Sequence, residues 1–295
     1  MTIADRLAGA PISWGVCEVP GWGWQLDCEM VLSQMQEVGL VATEFGPDGF
    51  LPDDPQDKAK MLADKGLSAV GGFVPVVLHD PDLDPVREIG QALAGFTAVG
   101  ACTLVLAAAT GADGYDVRSG LDDDGWQMLL LNLDRIDLLA SRMGITATVH
   151  PHVGTMVETA DDVERVLEGS GIGLCLDTGH LLIGGADPAA LAARHAGRIR
   201  HTHLKDVDAA WVRRVQSGEV TYTDAVRGGM YRPLGHGDVD IASIVGSLER
   251  SGYDGWYVLE QDMILTGPPQ TGHHGPLAEV RVSMDHLLAI AEALS

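Results

Sequence analysis

Four short apolar runs in the second half of this chain each stop at a side chain able to hold a metal ion. They read TATVHPHVGT (146–155), GIGLCLDTGH (171–180), RIRHTHLKDVD (198–208) and WYVLEQD (256–262), and the side chains are His150, Asp177, His203 and Glu260. Two imidazoles and two carboxylates make a mixed nitrogen–oxygen set. Such a set suits manganese(II) or cobalt(II) foremost and accommodates zinc(II) or iron(II), whereas magnesium and calcium prefer shells of oxygen. A five- or six-coordinate ion held this way keeps room for substrate oxygens. The chemistry on offer is polarisation of a carbonyl and removal of a proton from the carbon beside it.

Other polar residues extend this set. His152 lies two residues beyond His150; either could bind the ion, and the reading here assigns His150 to the ion and His152 to substrate. Glu260 or His152 suits removal of the α-proton. An imidazole such as His152 or His180 titrates near neutrality and suits protonation of a leaving hydroxyl. His180 is otherwise placed to orient a neighbouring ligand. His201, His203 and Lys205 alternate, so they share one face of a strand, with His201 deeper than the other two. Lys205 can then hydrogen-bond a substrate hydroxyl or an enolate oxygen, with Asp206 read as its structural partner. Trp14, Trp22 and Trp24 could wall a ring-shaped substrate, and Glu18 is a weaker candidate beside them.

Residues so far apart in sequence converge only if the elements before them run in register. Strand-like stretches are expected at Ala10–Trp14, Ala42–Phe45, Ser68–Val74, Thr103–Ala107, Thr146–His150, Gly173–Asp177, Ile199–Lys205 and Trp256–Glu260. Helical stretches fill the gaps, at 27–39, 55–65, 84–99, 122–143, 159–169, 187–196, 240–251 and 277–294. Several open at Asp or Thr and close at Gly, the usual capping pattern. Eight strand–helix units predict a (β/α)8 TIM barrel, α/β in class, as a single domain over residues 1–295, with its chemistry at the C-terminal strand ends. An open doubly wound sheet would carry a glycine-rich phosphate turn after its first strand. Here Trp14, Gly15 and Glu18 follow instead.

Composition limits the partners. Of 295 residues, 46% are hydrophobic and 21% charged, which is enough for a full core, and the formal net charge is −23. That charge argues against nucleic acid and against anionic membranes. It also disfavours the metal-dependent DNA repair endonucleases that use this barrel. Neither a glycine-rich cradle nor a Lys/Arg cluster beyond Lys205 and Arg232 speaks for a phosphate, so a small, neutral, polyhydroxylated ketone fits better. Cys17, Cys28, Cys102 and Cys175 show no CxxC pairing. Cys102 and Cys175 are expected as reduced, buried thiols. With no signal-like or membrane-spanning run, a cytoplasmic location is expected. His273 and His274 read as a surface pair or a subunit contact, and a homo-oligomer is possible.

The ordered series LCLDTGH, HTHLKDVD, PLGHGDVD and YVLEQD resembles the sugar-phosphate isomerase/epimerase-like, or xylose-isomerase-like, barrels from Pro11 to about Asp262. TEFGPDGFLP (43–52) and VHPHVGTMVET (149–159) resemble the inosose dehydratase branch of that superfamily, which dehydrates a keto-inositol. The resemblance implies that Asp177, His203 and Glu260 are metal ligands. Many members end the fifth strand in Glu; His150 stands here, as a histidine does in the dehydratase branch. It further implies substrate contacts from Glu44, Arg232 and His236. The expected activity is therefore a metal-dependent lyase that removes water from a keto-inositol. A ketose isomerase or epimerase on a free sugar is the alternative, and a non-catalytic carbohydrate-binding barrel a third reading. Epimerases of this superfamily use two opposed glutamates, and replacement of one by His150 favours elimination.

Overall fold

The computed structural model describes residues 2–118, 120–268 and 275–294; His273 and His274 lie outside the described residues. In chain order the elements are β1 (Leu7–Gly9), α1 (Cys28–Val38), β2 (Ala42–Glu44), α2 (Pro55–Asp64), β3 (Ser68–Val76), α3 (Pro85–Val99) and β4 (Thr103–Ala108). There follow α4 (Asp123–Arg142), β5 (Thr146–Val149), α5 (Ala160–Gly169), β6 (Gly173–Asp177), α6 (Thr178–Ile183), α7 (Pro188–His195) and β7 (Ile199–Leu204). The chain ends with β8 (Asp206–Val207), α8 (Ala209–Gln216), α9 (Tyr222–Arg227), β9 (Tyr231–Arg232), α10 (Ile241–Arg250), β10 (Tyr257–Leu259) and α11 (Pro276–Leu294).

Eight of the strands close a parallel barrel in the order β1-β10-β7-β6-β5-β4-β3-β2, while β8 and β9 form a separate antiparallel pair. The expected (β/α)8 barrel is the observed fold. Its core is built by two layers of one pattern. Fully buried strand residues such as Leu104, Leu106 and Leu174 meet the apolar faces of helices, among them Leu129, Leu133 and Ile136 of α4. Burial of this kind contributes roughly 25 cal/mol per Å² of apolar surface.

The capping pattern sets the helix limits. Asp27 accepts from the Met30 amide to start α1, and Gly39, at φ +90°, ends it in the left-handed region that glycine tolerates. Thr159 and Asp162 form a reciprocal capping box at α5. The first strand departs from expectation. It is Leu7–Gly9, and Pro11–Trp14 is a 3-10 turn. Pro11 has no N–H to give to a ladder and its fixed φ suits a helical first turn. The segment from Asp206 to Arg232, with β8, α8, α9 and β9, is an excursion that hydrophobic periodicity did not announce.

Every barrel strand points its C-terminal end the same way, so side chains at or just past those ends share one rim. Asp177 is the last residue of β6, while His150, Lys205 and Glu260 each follow their strand by one residue.

Candidate active site

A cavity of about 880 Å³ opens at that rim, with Glu44, His150, His152, His203, Lys205, Glu260 and Asp262 among its lining. His150, His203 and Glu260 line it, and the fully buried Asp177 meets both histidines. His150 Nε2 lies 3.1 Å from Asp177 Oδ2, His203 Nδ1 lies 3.6 Å from the same oxygen, and His203 Nδ1 lies 3.1 Å from Glu260 Oε2. Donors bound at about 2.1 Å to one ion stand roughly 3.0–3.4 Å apart at octahedral to tetrahedral angles; two of these separations fall in that range, and the third, 3.6 Å, lies just above it.

The local bonding gives an independent test of that fit. His203 Nε2 donates to Glu44 Oε1 at 2.9 Å. This leaves Nδ1, buried and without a hydrogen-bond partner, aimed at two carboxylates. A nitrogen lone pair facing two anions requires a positive centre between them, either a proton or a metal ion. Accordingly, although burial opposes its charging, His203 is held well above the usual histidine range by the carboxylates of Glu260 and Glu44. Glu44 also accepts from His201 Nε2 at 2.7 Å. It therefore fixes the His203 ring in the way a carboxylate behind a metal-bound histidine does. Burial pushes His150 down, and the neutral ring is the form that binds a metal. The residues present fit a divalent cation.

Asp177 does two jobs. Oδ1 accepts from the His180 amide at 2.7 Å and caps α6, while Oδ2 faces His150. Burial opposes its ionisation, but Lys205 and His180 hold it well below the usual carboxylate range.

His152 and Lys205 face the cavity beside this quartet. His152 Nδ1 donates to the Val153 carbonyl at 2.7 Å. A carbonyl can only accept, so the proton is on Nδ1 and Nε2 carries a lone pair. Burial, with His150 and Lys205 nearby, lowers the His152 pKa well below its ordinary value, so the ring is neutral. Lys205 Nζ donates to Asp262 Oδ1 at 2.5 Å and stands 3.0 Å from Glu260 Oε2 and 3.1 Å from His180 Nε2. Burial disfavours its charge, yet Asp177, Asp262 and Glu260 raise its pKa well above that of a free lysine. It is an ammonium at every working pH.

Other expected residues are placed elsewhere. His180 stacks on His152 with ring centroids 3.8 Å apart, but it stands behind Lys205 and outside the cavity lining. Trp14 is fully buried in the core, its indole N–H donating to Gln34 Oε1 at 2.7 Å; the 3-10 turn at Pro11–Trp14 directs it inward. Of the other tryptophans, Trp22 lines the cavity and Trp24 is half exposed. Arg232 pairs with Asp208 at 3.3 Å on the β8–β9 ribbon, and His236 is exposed; neither lines the cavity. Asp206 is not the partner of Lys205. Its carboxylate accepts from the amides of Val207, Gly235, Gly237 and Val239, and so organises the loop after β9. Cys102 is exposed, not buried, because it precedes the first residue of β4 at the opposite end of the barrel; Cys175 is buried.

Four contributors were missed. Asp262 binds Lys205 and accepts from Tyr222 Oη, which is 3.0 Å from Tyr231 Oη. Asp262 was legible in principle, because it repeats the strand alternation two residues past Glu260. Tyr222 and Tyr231 sit in the unannounced excursion. Tyr115, whose ring centroid is 4.3 Å from that of His152, comes from the loop after β4.

Comparison with known proteins agrees with this architecture. The family of xylose isomerase-like TIM barrels matches residues 32–287. The chain is 32% identical to the rhizopine catabolism protein MocC of Rhizobium meliloti over 98% of this chain and 89% of that protein. It is also 32% identical to an inosose dehydratase of Geobacillus kaustophilus over 89% of this chain and 90% of that enzyme. Among solved structures, the IOLI protein with a bound zinc atom shares the fold at a TM-score of 0.69 and 12% identity, over 98% of this chain and 99% of that one. With the barrel closed, the site at its C-terminal rim and the match spanning most of the sequence, this chain belongs to the xylose isomerase-like TIM barrel family.

Proposed function

We propose that this protein is a carbon–oxygen lyase that removes water from a keto-inositol, using a divalent cation, manganese(II) or cobalt(II) foremost, held by His150, Asp177, His203 and Glu260. The observation that carries the reading is the asymmetry of the cavity floor. A neutral imidazole, His152, offers one lone pair, whereas the ammonium of Lys205, which contacts the same His180, can only donate. Elimination moves protons at two different atoms and suits such a site, whereas epimerisation needs two interchangeable acid–base groups on opposite faces. The relatives named inosose dehydratase support the same reading.

The bound cation would polarise the ketone as a Lewis acid. His152 Nε2 takes the proton from the α-carbon, and its electron pair moves toward the carbonyl. Lys205 donates a hydrogen bond to the oxygen on which negative charge grows, a stabilisation worth most in a water-poor site. The β-carbon–oxygen bond then breaks, and the proton held by His152 goes to the departing oxygen to give water. Because the α-carbon carries a hydroxyl, the enol product rearranges to a vicinal diketone. Glu260 keeps Lys205 and the ion in place. His180 positions Lys205 and does not reach substrate. The barrel acts as one catalytic domain, and its four unpaired cysteines fit a reducing cytoplasm.

Glu260→Gln tests this. Diketone absorbance from 2-keto-myo-inositol, followed without oxygen, should appear with the wild type and cation and vanish with the variant, while calorimetry still detects ketone binding. Full activity in the variant overturns the assignment.

A further inference from the structure

Two of the residues lining the cavity, from different loops, make a polar contact with one another. Tyr115 Oη, from the loop after β4, donates to Glu18 Oε1, from the loop after β1, and both residues line the cavity. We propose that this pair is the second half of the substrate site: Glu18 accepts, and Tyr115 orients, a ring hydroxyl remote from the ketone, and together they select polyhydroxylated rings by the position of that hydroxyl. The inference rests on the dehydratase reading of the floor.

The pair is not needed to hold either loop. The loop after β1 is fastened by the Trp22 indole N–H donating to the Met263 carbonyl at 3.0 Å and the Trp24 amide donating to the Leu265 carbonyl at 2.7 Å. The Gln25 side chain closes it further, donating to the Gly15 carbonyl and accepting from the Cys17 amide. The loop after β4 is fastened by Asp116, which accepts from the Thr223 amide at 2.9 Å. It also lies against Gly154, where an added Cβ would come within 2.4 Å of the Tyr115 carbonyl. The Tyr115–Glu18 contact therefore joins two surfaces that are already built.

Glu18 lines the cavity and is exposed to solvent. Glu18 Oε2 has only the Cys17 thiol, at 3.6 Å, and no cationic side chain pairs with Glu18 among the described residues. Burial and Glu18 push the Tyr115 phenol up, so it stays a donor and leaves Glu18 the acceptor. Tyr115 packs on His152, the proposed base, so a ring resting on the floor extends toward this pair. The other outer walls combine apolar side chains from Ile12, Val16, Trp22, Leu26 and Phe50 with polar ones from Gln25, Asp27, Asp48 and Glu88; Gln25 is committed to the Gly15 carbonyl and the Cys17 amide, and Asp27 to the Met30 amide.

The test compares wild type, Tyr115→Phe and Glu18→Gln on 2-keto-myo-inositol and on a set of its monodeoxy derivatives. A lost bond to an ionised group should lower kcat/KM on the parent ketone roughly 10- to 100-fold, chiefly through KM. On the derivative that lacks the recognised hydroxyl, the variants should equal the wild type. Equal losses on every ketone, or no loss on any, overturn the proposal. Calorimetric binding of the same ketones makes the comparison without turnover. Wild-type protein that binds with this pattern but forms no diketone refutes the dehydratase reading and leaves the pair standing; failure to bind any ketone refutes both.

Discussion

Replacing Lys205 by methionine probes the electrostatics of the whole floor. Lys205 is the one lysine or arginine among the described cavity residues, and its ammonium is 2.5 Å from Asp262, 3.0 Å from Glu260 and 3.5 Å from Asp177. All four groups are buried, so water cannot take over its role. Removing one member of a buried ion pair costs about 3–5 kcal/mol, because the partner is left uncompensated. In a chain of this size each kcal/mol lowers Tm by roughly 2–4 °C, which puts the expected fall on the order of 10 °C. Methionine keeps the volume and the unbranched stem, so little of the loss comes from packing. A divalent cation at about 100 times its Kd adds roughly 2.7 kcal/mol to the folded state. The added cation should raise Tm more in the variant than in the wild type, since it then meets carboxylates without a lysine. Turnover should fall about 10²- to 10³-fold, the usual effect of losing one preorganised donor at a developing charge. Calorimetric melting with and without manganese(II), together with product formation, gives both readings, and Lys205→Arg reports whether charge alone maintains stability. A methionine variant that melts within about 1 °C of the wild type and turns over within roughly threefold would refute the reasoning.

Two more expectations concern residues whose roles the structure revised. Asp206→Ala strips one carboxylate from four backbone amides, at about 1 kcal/mol each. It should lower unfolding free energy by roughly 3–4 kcal/mol in a urea titration; a loss below about 1 kcal/mol contradicts the loop-organising role. Gly237 cannot substitute, because a Cβ there would come within 2.2 Å of Asp206 Oδ1. Thiol labelling at pH 8 should modify exposed Cys102 first and leave Cys175, pushed up to about 11 by burial, untouched in the folded protein. Cys17 should also stay unmodified although it lines the cavity, because burial and Glu18 keep it a thiol; rapid labelling of Cys17 would contradict this.

His150, Asp177 and Glu260 were legible because each follows an apolar run directly, and His203 and Lys205 because they alternate along one strand. Once a run is read as a strand, the side chain at its end is on the rim of the barrel. That logic gave His150, Asp177, His203, Lys205 and Glu260, and it failed where local chemistry broke the run. Pro11 turned an expected strand into a 3-10 turn and took Trp14 into the core. The β8–β9 ribbon carried Arg232 and His236 away from the cavity. Tyr115 and Tyr222 were invisible for the opposite reason. They belong to loops and to a one-turn helix, where no periodicity ties residue number to direction. Asp206 shows the limit of reading neighbours: adjacent to Lys205 in sequence, it points to the other side of the backbone and binds amides there.

Incubation of the wild-type protein with 2-keto-myo-inositol and manganese(II) in heavy water, without oxygen and followed by mass spectrometry, tests the central claim most directly. The account predicts a product that has lost one water and gained one deuterium at carbon as the enol ketonises, abolished by a chelator and restored by added cation. A ketone of unchanged formula that gains deuterium in place of hydrogen would contradict elimination and assign the barrel to isomerase or epimerase chemistry.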